Sequence, residues 1–510
     1  MALVRYTASA DTTITNAFQP NLRTRGTGAN MGMADVLEVY SIYGRQTTSS
    51  AELSRVLIQF PTTGIAADRT AEKIPASGSV NFYLRMFNAP HSKTVPRDYK
   101  LFVAAISQSW EEGVGLDLEG YSDLTKGNTG ANWMSASSTT KWAQPGGKYI
   151  LTPSTTYVEK GFTTGLEDLE VDITPIVERW IAGTQANYGV EILLSSSYEA
   201  YFSASAGVDS GSIIHNTLGA TKSYYTKRFF ARGSQYFFKR PLIEARWNDV
   251  KRDDRGDFHL SSSRASAEDN LNLLYFYNVI RGKLANLPSV GTGSIIVSLY
   301  SGSAANTKPS GSKLTLYGGA TGLTGGWIST GVYTCSVAIT GAATAAKRVS
   351  PMYDVWYSGT TQYFTGSIIP KDFSSGMTLL PATYIINITN LQSQYGTKSK
   401  PRLFLYARNK NWNPNIYTVA KSSPEVLSIA SASYKVYRVL DGVEAVGYGT
   451  GSEFHTGLSH DVSGNYFDFD MNSLEPGYQY AFKFAFYDEQ TKSWLEQDET
   501  FKFKVEKSSP

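Results

Sequence analysis

Leu474-Glu475-Pro476-Gly477-Tyr478-Gln479-Tyr480-Ala481-Phe482-Lys483-Phe484-Ala485-Phe486 sets the fold class of this chain. A Pro-Gly turn leads into a run in which aromatics alternate with Lys or small residues, the period of two expected of a strand with one buried and one solvated face. Thr500-Phe501-Lys502-Phe503-Lys504-Val505 repeats the pattern. Working back towards the N-terminus, Tyr434 to Val439, Arg402 to Ala407, Tyr384 to Ile388, Ser294 to Tyr300, Leu101 to Ile106, Val80 to Phe87 and Ser54 to Phe60 are further short β-rich runs bounded by turn residues. The clearest helical segment is Thr174 to Gly183, with Thr174 as N-cap, Pro175 at the first helical position and Gly183 as the stop. Ile176, Val177 and Trp180 share one face of it and are expected to plug one end of a sandwich.

Composition agrees with an all-β chain. Aromatics make up 13% and charged residues 18%, below the roughly 25% usual in soluble domains. The 510 residues allow about three domains at roughly 150 residues each. A net charge of +3 gives no broad footprint for nucleic acid, so none is expected as a partner. The single cysteine, Cys335, cannot form an intrachain disulfide and reads as a small buried apolar residue. No apolar stretch approaches the length of a membrane span. Met1 to Ala10, MALVRYTASA, lacks the basic start, apolar stretch and cleavage site of a secretory signal, which predicts synthesis and assembly in a cytoplasm.

Two breaks in the strand pattern divide the chain. The charge-dense stretch Asn248 to Asp269 reads as a linker or the first loop of a second domain, and Pro370 to Pro381 marks a second boundary. The expected domains are therefore 1–250, 251–372 and 373–510, and the resemblances carried by their motifs imply a jelly-roll sandwich followed by two smaller immunoglobulin-like β-sandwiches.

Several ordered motifs carry resemblances to known families. Ser9-Ala10-Asp11-Thr12-Thr13-Ile14, Asp35 to Val39 and Ser54 to Phe60 come first. Trp110-Glu111-Glu112-Gly113, Asn132-Trp133, Leu169 to Thr174 with Trp180, Asn187-Tyr188-Gly189-Val190, Phe229 to Arg232 and Arg240 to Ala245 follow. In this order they resemble DNRLRE-type domains, jelly-roll modules similar to carbohydrate-binding modules, over about half of the chain. The matching residues look architectural, so the resemblance implies a fold without a ligand. Leu474 to Tyr480 resembles the L-x-P-G-x-x-Y corner of immunoglobulin-like and fibronectin-like sandwiches, in which a Tyr hydroxyl bonds back to the backbone. The style of the later half, with Asn409 to Tyr417 and small β domains rich in Tyr, Ser, Thr and Gly, resembles structural proteins of tailed bacteriophages.

The candidate chemistry is sparse. Glu111, Glu112, Asp117, Glu119 and Asp123 could offer oxygen ligands to calcium but lack the spacing of a calcium loop. His455, His460 and Asp461 lie on a loop or hairpin tip rather than at helical i, i+4 spacing, while His91, His215 and His259 stand isolated. Glu167-Asp168 and Glu170 with Asp172 could be read as a glycosidase pair, but Glu170 and Asp172 share a strand face near a helix entry. Arg255-Gly256-Asp257 matches an adhesion tripeptide by coincidence. Gly318-Gly319 and Gly325-Gly326 lack the Lys-Ser/Thr of a phosphate loop, and Asn387-Ile388-Thr389 is a sequon within a strand. Trp412, Tyr417, Tyr224 and Tyr225 are candidate interface anchors, with core packing the alternative.

No catalytic, cofactor or metal residue is assigned and no cofactor is expected. The expectation is a non-enzymatic structural protein of a tailed-phage virion, assembled in the host cytoplasm and associated with head, neck or tail. Its partners would be other virion proteins (portal, neck, capsid or tail components) and further copies of itself, without membrane insertion and with a glycan as a conceivable ligand. The alternative is a carbohydrate-binding adhesion protein that recognises host or environmental glycans.

Overall fold

Strand periodicity translates into antiparallel sheets almost throughout the computed structural model, which describes residues 2–19, 21–44, 50–90, 95–116, 130–301, 313–339, 351–371, 383–411, 416 and 426–508. The chain forms two compact units, Ala2–Asn248 and Asp249–Pro510.

The first unit is a two-sheet sandwich. One sheet runs in the order Leu3–Thr7, Leu242–Arg246, Asn81–Met86, Leu169–Asp172; the other runs Tyr224–Phe230, Val36–Gly44, Ser50–Gln59, Val190–Leu194, Tyr99–Ala105, Tyr157–Phe162, with Ala10–Thr15 also on Ser50–Gln59. The chain crosses repeatedly between the sheets, as a jelly roll does. Phe82 and Leu84 of the first sheet meet Leu37, Val39, Val56, Ile58, Leu101 and Val103 of the second in one core. The helix Thr174–Ile181 adds Ile176, Val177 and Trp180 to it, and Gly183 ends the helix at positive φ. Thr174 is not the N-cap: Ile173 is, while Asp172 accepts the Thr174 N–H and the Thr174 hydroxyl takes the N–H of Phe82. A second helix, Thr62–Thr70, escaped the sequence reading because Ile65 is its only buried residue.

The larger sheet is covered on both faces. Leu53 and Leu57 point away from the main core into a second cluster with Trp133, Trp142 and Ala200, residues carried by the long connections after Tyr99–Ala105 and Val190–Leu194. Strand Ser50–Gln59 is therefore buried on both sides and loses the alternation that a half-exposed strand shows.

In the second unit, residues 272–368 form one six-stranded sheet in the order Asn272–Tyr277, Val332–Val337, Leu323–Ser329, Ile295–Ser301, Met352–Ser358, Thr361–Ile368. It folds over on itself through a single corner strand. Leu323 to Gly325 pair with Ile295–Ser301, whereas Gly326, Trp327 and Ser329 pair with Val332–Val337. The Gly325-Gly326 step, which carries no phosphate loop, is the corner: a Cβ on Gly325 would lie 2.6 Å from the Thr334 carbonyl. Phe276 stacks on Phe364 at 5.4 Å, bringing the first and last strands face to face around Trp356, Tyr333 and the buried Cys335. Burial pushes the Cys335 thiol up to about 12, which leaves it an inert packing group.

The C-terminal sandwich pairs a four-stranded sheet, Tyr384–Ile388, Arg402–Asn409, Gly464–Asp468, Ser459–Asp461, with a six-stranded one. The latter runs Gln394–Gly396, Phe501–Glu506, Gln479–Asp488, Ala432–Arg438, Glu444–Val446, with Ser493–Glu496 also on Gln479–Asp488. Tyr434 stacks on Phe467 at 4.5 Å across the core, and Phe469 and Phe503 pack on Phe482. The Tyr480 hydroxyl donates to the Glu475 carbonyl at 2.8 Å across the Pro476-Gly477 turn, the bond expected of the tyrosine corner.

Replacing Tyr480 with Phe removes that bond and leaves a partly buried carbonyl unpaired. The expected loss is about 1 to 2 kcal/mol, read as a lower urea midpoint for the transition in which the C-terminal sandwich unfolds.

Candidate functional site

A few charged side chains of this structure are buried on one another. On the outer face of the large N-terminal sheet, Arg55 is 2% exposed and donates through Nε and Nη2 to both oxygens of Glu199 at 3.0 Å, to Glu191 at 3.3 Å and to the Gly146 carbonyl at 2.9 Å. The Trp133 and Tyr149 rings flank the guanidinium. Gly147, at φ +101, lies against the Glu191 carboxyl, and a Cβ there would stand 2.4 Å from Glu191 Oε2. Two carboxyls share one buried cation, so burial pushes Glu191 up to about 8 against the pull of Arg55, and Glu199 is raised for the same reason.

A second cluster sits on the smaller sheet, where Glu244 receives Arg5, Arg85 and Arg246, and Arg246 reaches on to Glu170. Burial alone would raise Glu244, but three guanidiniums hold it well below the usual carboxylate range. Glu170 and Asp172 do share the outer strand face, but one is a brace and the other a helix-entry acceptor. Glu167 accepts Thr163 and Thr164, Asp168 accepts the Asn88 N–H, and the buried Lys227 amine is bonded to Asn88 and the Gly165 carbonyl. Both acidic pairs are thus engaged by backbone and side-chain partners of the sheet and its loops.

The acidic candidates near 111–123 divide. Glu112 is engaged by Arg232 and accepts the Asp11 N–H, while Glu111 is exposed on the surface. Asp117, Glu119 and Asp123 lie outside the described residues. The tryptophans of the N-terminal motif are anchors: Trp110 donates to the Tyr188 carbonyl and the buried Trp133 to the Ser212 carbonyl, both through Nε1.

The stretch from Asn248 onward is no free linker. Lys251 N–H donates to the Ser459 hydroxyl, Lys251 C=O accepts from His460 N–H, and Asp253 N–H donates to the His460 carbonyl, adding the segment to the edge of the four-stranded sheet. Arg255 then enters the middle sheet and bonds Asp253, both oxygens of Asp354 and the Tyr275 carbonyl. The Arg255 side chain is 10% exposed, and Asp257 pairs with Lys371, so the Arg-Gly-Asp tripeptide is a strap between two sandwiches and not an adhesion loop.

His455 and His460 do not converge. His460 Nε2 faces Asp254 at 3.2 Å, Asp461 closes a turn onto Ser463, and His455 lines a polar pocket. Among the described residues no group of three or more His, Cys, Asp and Glu gathers as a metal site. His215 accepts the Ala204 N–H, His259 stands 4.0 Å from Asp257, and His91 lies outside the described residues.

The polar pocket, lined by Asp249, Lys251, Arg402, Tyr434, His455, Gly457, Ser459, Tyr466, Phe467 and Asp468, is the feature the sequence reading missed, because its residues come from five separate segments. Arg402 and Asp468 form a bidentate pair at 2.8 and 3.0 Å, and burial lowers the Lys251 amine. The fully buried Tyr434 hydroxyl has no hydrogen-bond partner among the described residues. With its charges balanced, the pocket offers hydrogen bonds rather than a net field. Of the proposed interface aromatics, Tyr224 is buried against Tyr198 at 4.9 Å; the side chain of Tyr225 and both Trp412 and Tyr417 lie outside the described residues. No described helix is long and apolar enough to cross a membrane.

No family model matches the chain, and no curated protein matches it. Among solved structures, it is similar to titin domains Z1Z2 in complex with telethonin at 13% identity, covering 43% of this chain and 85% of that one, with a TM-score of 0.13. It is also similar to the native conformation of E. coli alpha-2-macroglobulin at 10% identity, covering 88% of this chain and 21% of that one, with a TM-score of 0.15. These values are too low to argue from.

Two outcomes follow from the buried braces. Arg55→Met strands two carboxyls and is expected to cost about 3 to 5 kcal/mol in urea unfolding of the first unit, as broken buried pairs do. Glu191 keeps its proton in the folded state up to about pH 8, whereas the unfolded chain releases it near 4.5. The native state therefore binds more protons across this window, and stability falls as pH rises from about 5 to 8. Glu191→Gln should flatten that fall when urea midpoints are compared at the two ends; an equally steep fall in the variant would place the titrating group elsewhere.

Proposed function

We propose that the chain is a non-enzymatic structural component of a tailed-phage virion, associated with head, neck or tail and assembling with other virion proteins and with further copies of itself. The observation that supports this reading is the inward use of charge. Guanidiniums seated on carboxylates lock the N-terminal sandwich on the outer faces of both its sheets, and the Arg255 strap fastens the two later sandwiches where a hinge would otherwise stand. A part that must hold its shape within a particle benefits from rigid modules of this kind, with loops left for contact. Copies arrayed on a symmetric particle would gain adhesion through multivalency even where each contact is weak.

Mass spectrometry of purified particles should find the polypeptide at fixed stoichiometry with the portal or tail proteins, and an electron-microscopy map should show its sandwiches. Particles that lack the chain while infected cells contain it would refute the proposal.

A further inference from the structure

The net charge of +3 averages two opposed regions. Residues 271–424 hold 13 Lys or Arg but only two acids, Asp354 and Asp372, a net charge of +11; the remainder holds 34 basic and 42 acidic residues. Asp354 is fully buried on Arg255, and Lys371, Lys400 and Arg402 of the block pair with Asp257, Asp470 and Asp468 from outside it.

Within this block, strand Arg402–Asn409 buries Leu403, Leu405 and Ala407 and turns Arg402, Phe404, Tyr406 and Arg408 to the opposite face, with Lys410 next in phase. Phe404, Tyr406 and Arg408 are half-buried, and Lys410 is exposed. The neighbouring strand sets uncharged residues beside them, Ile385 opposite Arg408 and Asn387 opposite Tyr406. On the other side Phe404 lies 6.3 Å from the Tyr466 ring. Arg402 is held by Asp468, whereas neither Arg408 nor Lys410 pairs with a carboxylate among the described residues.

We propose that this face binds single-stranded nucleic acid, without sequence selectivity. Successive outward side chains stand about 6.6 Å apart along a strand, so Phe404 and Tyr406 offer consecutive ring faces to unstacked bases while Arg408 and Lys410 meet the phosphates. A duplex keeps its bases stacked inside and would meet only the cations. An acidic protein would likewise gain from the charge and nothing from the rings. The inference is independent of the virion reading.

The test titrates the full chain into a fluorescein-labelled oligothymidylate of about 20 nucleotides and follows anisotropy at salt concentrations between about 50 and 200 mM. Binding should weaken steeply with salt. Arg408→Ala with Lys410→Ala should lower the slope of log K against log salt by about 1.4, at about 0.7 for each lost phosphate contact. Tyr406→Ala should weaken binding roughly fivefold to a hundredfold with the slope unchanged. Should Tyr406→Ala unfold the sandwich, as judged by circular dichroism, the exposed variant Lys410→Glu replaces it and should weaken binding and lower the slope. No anisotropy change at the lowest salt overturns the proposal. So does displacement by polyglutamate as readily as by unlabelled oligonucleotide, with Tyr406→Ala binding like the parent; that outcome assigns the face to an acidic protein.

Discussion

The second unit depends on one guanidinium. Arg255 sits 10% exposed between Asp253 of the strap and Asp354 of the middle sheet, with the Tyr275 carbonyl taking a further N–H. Dehydrating an ion is costly, and the cost is offset only when the planar fork finds well-placed acceptors. Each of the three Arg255 nitrogens finds an acceptor because the backbone of Lys251 and Asp253 is already pinned to the edge at Ser459 and His460. Strap, middle sheet and C-terminal sandwich are thus held by a chain of contacts in which each makes the next geometrically possible. Arg55 and Glu244 play the same part within the first unit, one on the outer face of each sheet.

This inward use of charge explains why composition is a poor guide here. A charged fraction of 18% and a net charge of +3 describe an unremarkable surface. In the structure some of the charges are consumed by buried braces, and along the sequence the charges are unevenly distributed: acids predominate outside residues 271–424 and cations within them. An averaged charge therefore conceals both the rigidity and the polarity of the molecule.

What the sequence makes legible follows from how local the determining physics is. The alternation of Tyr478 to Phe486 and the L-x-P-G-x-x-Y corner are local, and both strand and Tyr480 bond are where the pattern puts them. Ile176, Val177 and Trp180 are likewise readable from helical spacing. The rest is set by distant partners. Helix Thr62–Thr70 buries a single side chain and has no period to detect. Lys251 to Asp257 look solvated by composition, and only distant partners hold them: Ser459 and His460 at the sheet edge, and the carboxyl of Asp354, about a hundred residues from Arg255. The pocket around Tyr434 is assembled from five segments and leaves no motif.

The corner strand Leu323–Ser329 has a topological effect on the middle sheet. Two separate sheets would present four outer strands, each with a row of unpaired backbone groups on which a foreign strand could add. By passing one strand through both layers at Gly325-Gly326, the chain leaves two among the described residues, Asn272–Tyr277 and Thr361–Ile368. A module crowded among identical copies has correspondingly fewer places at which edge-to-edge polymerisation can begin.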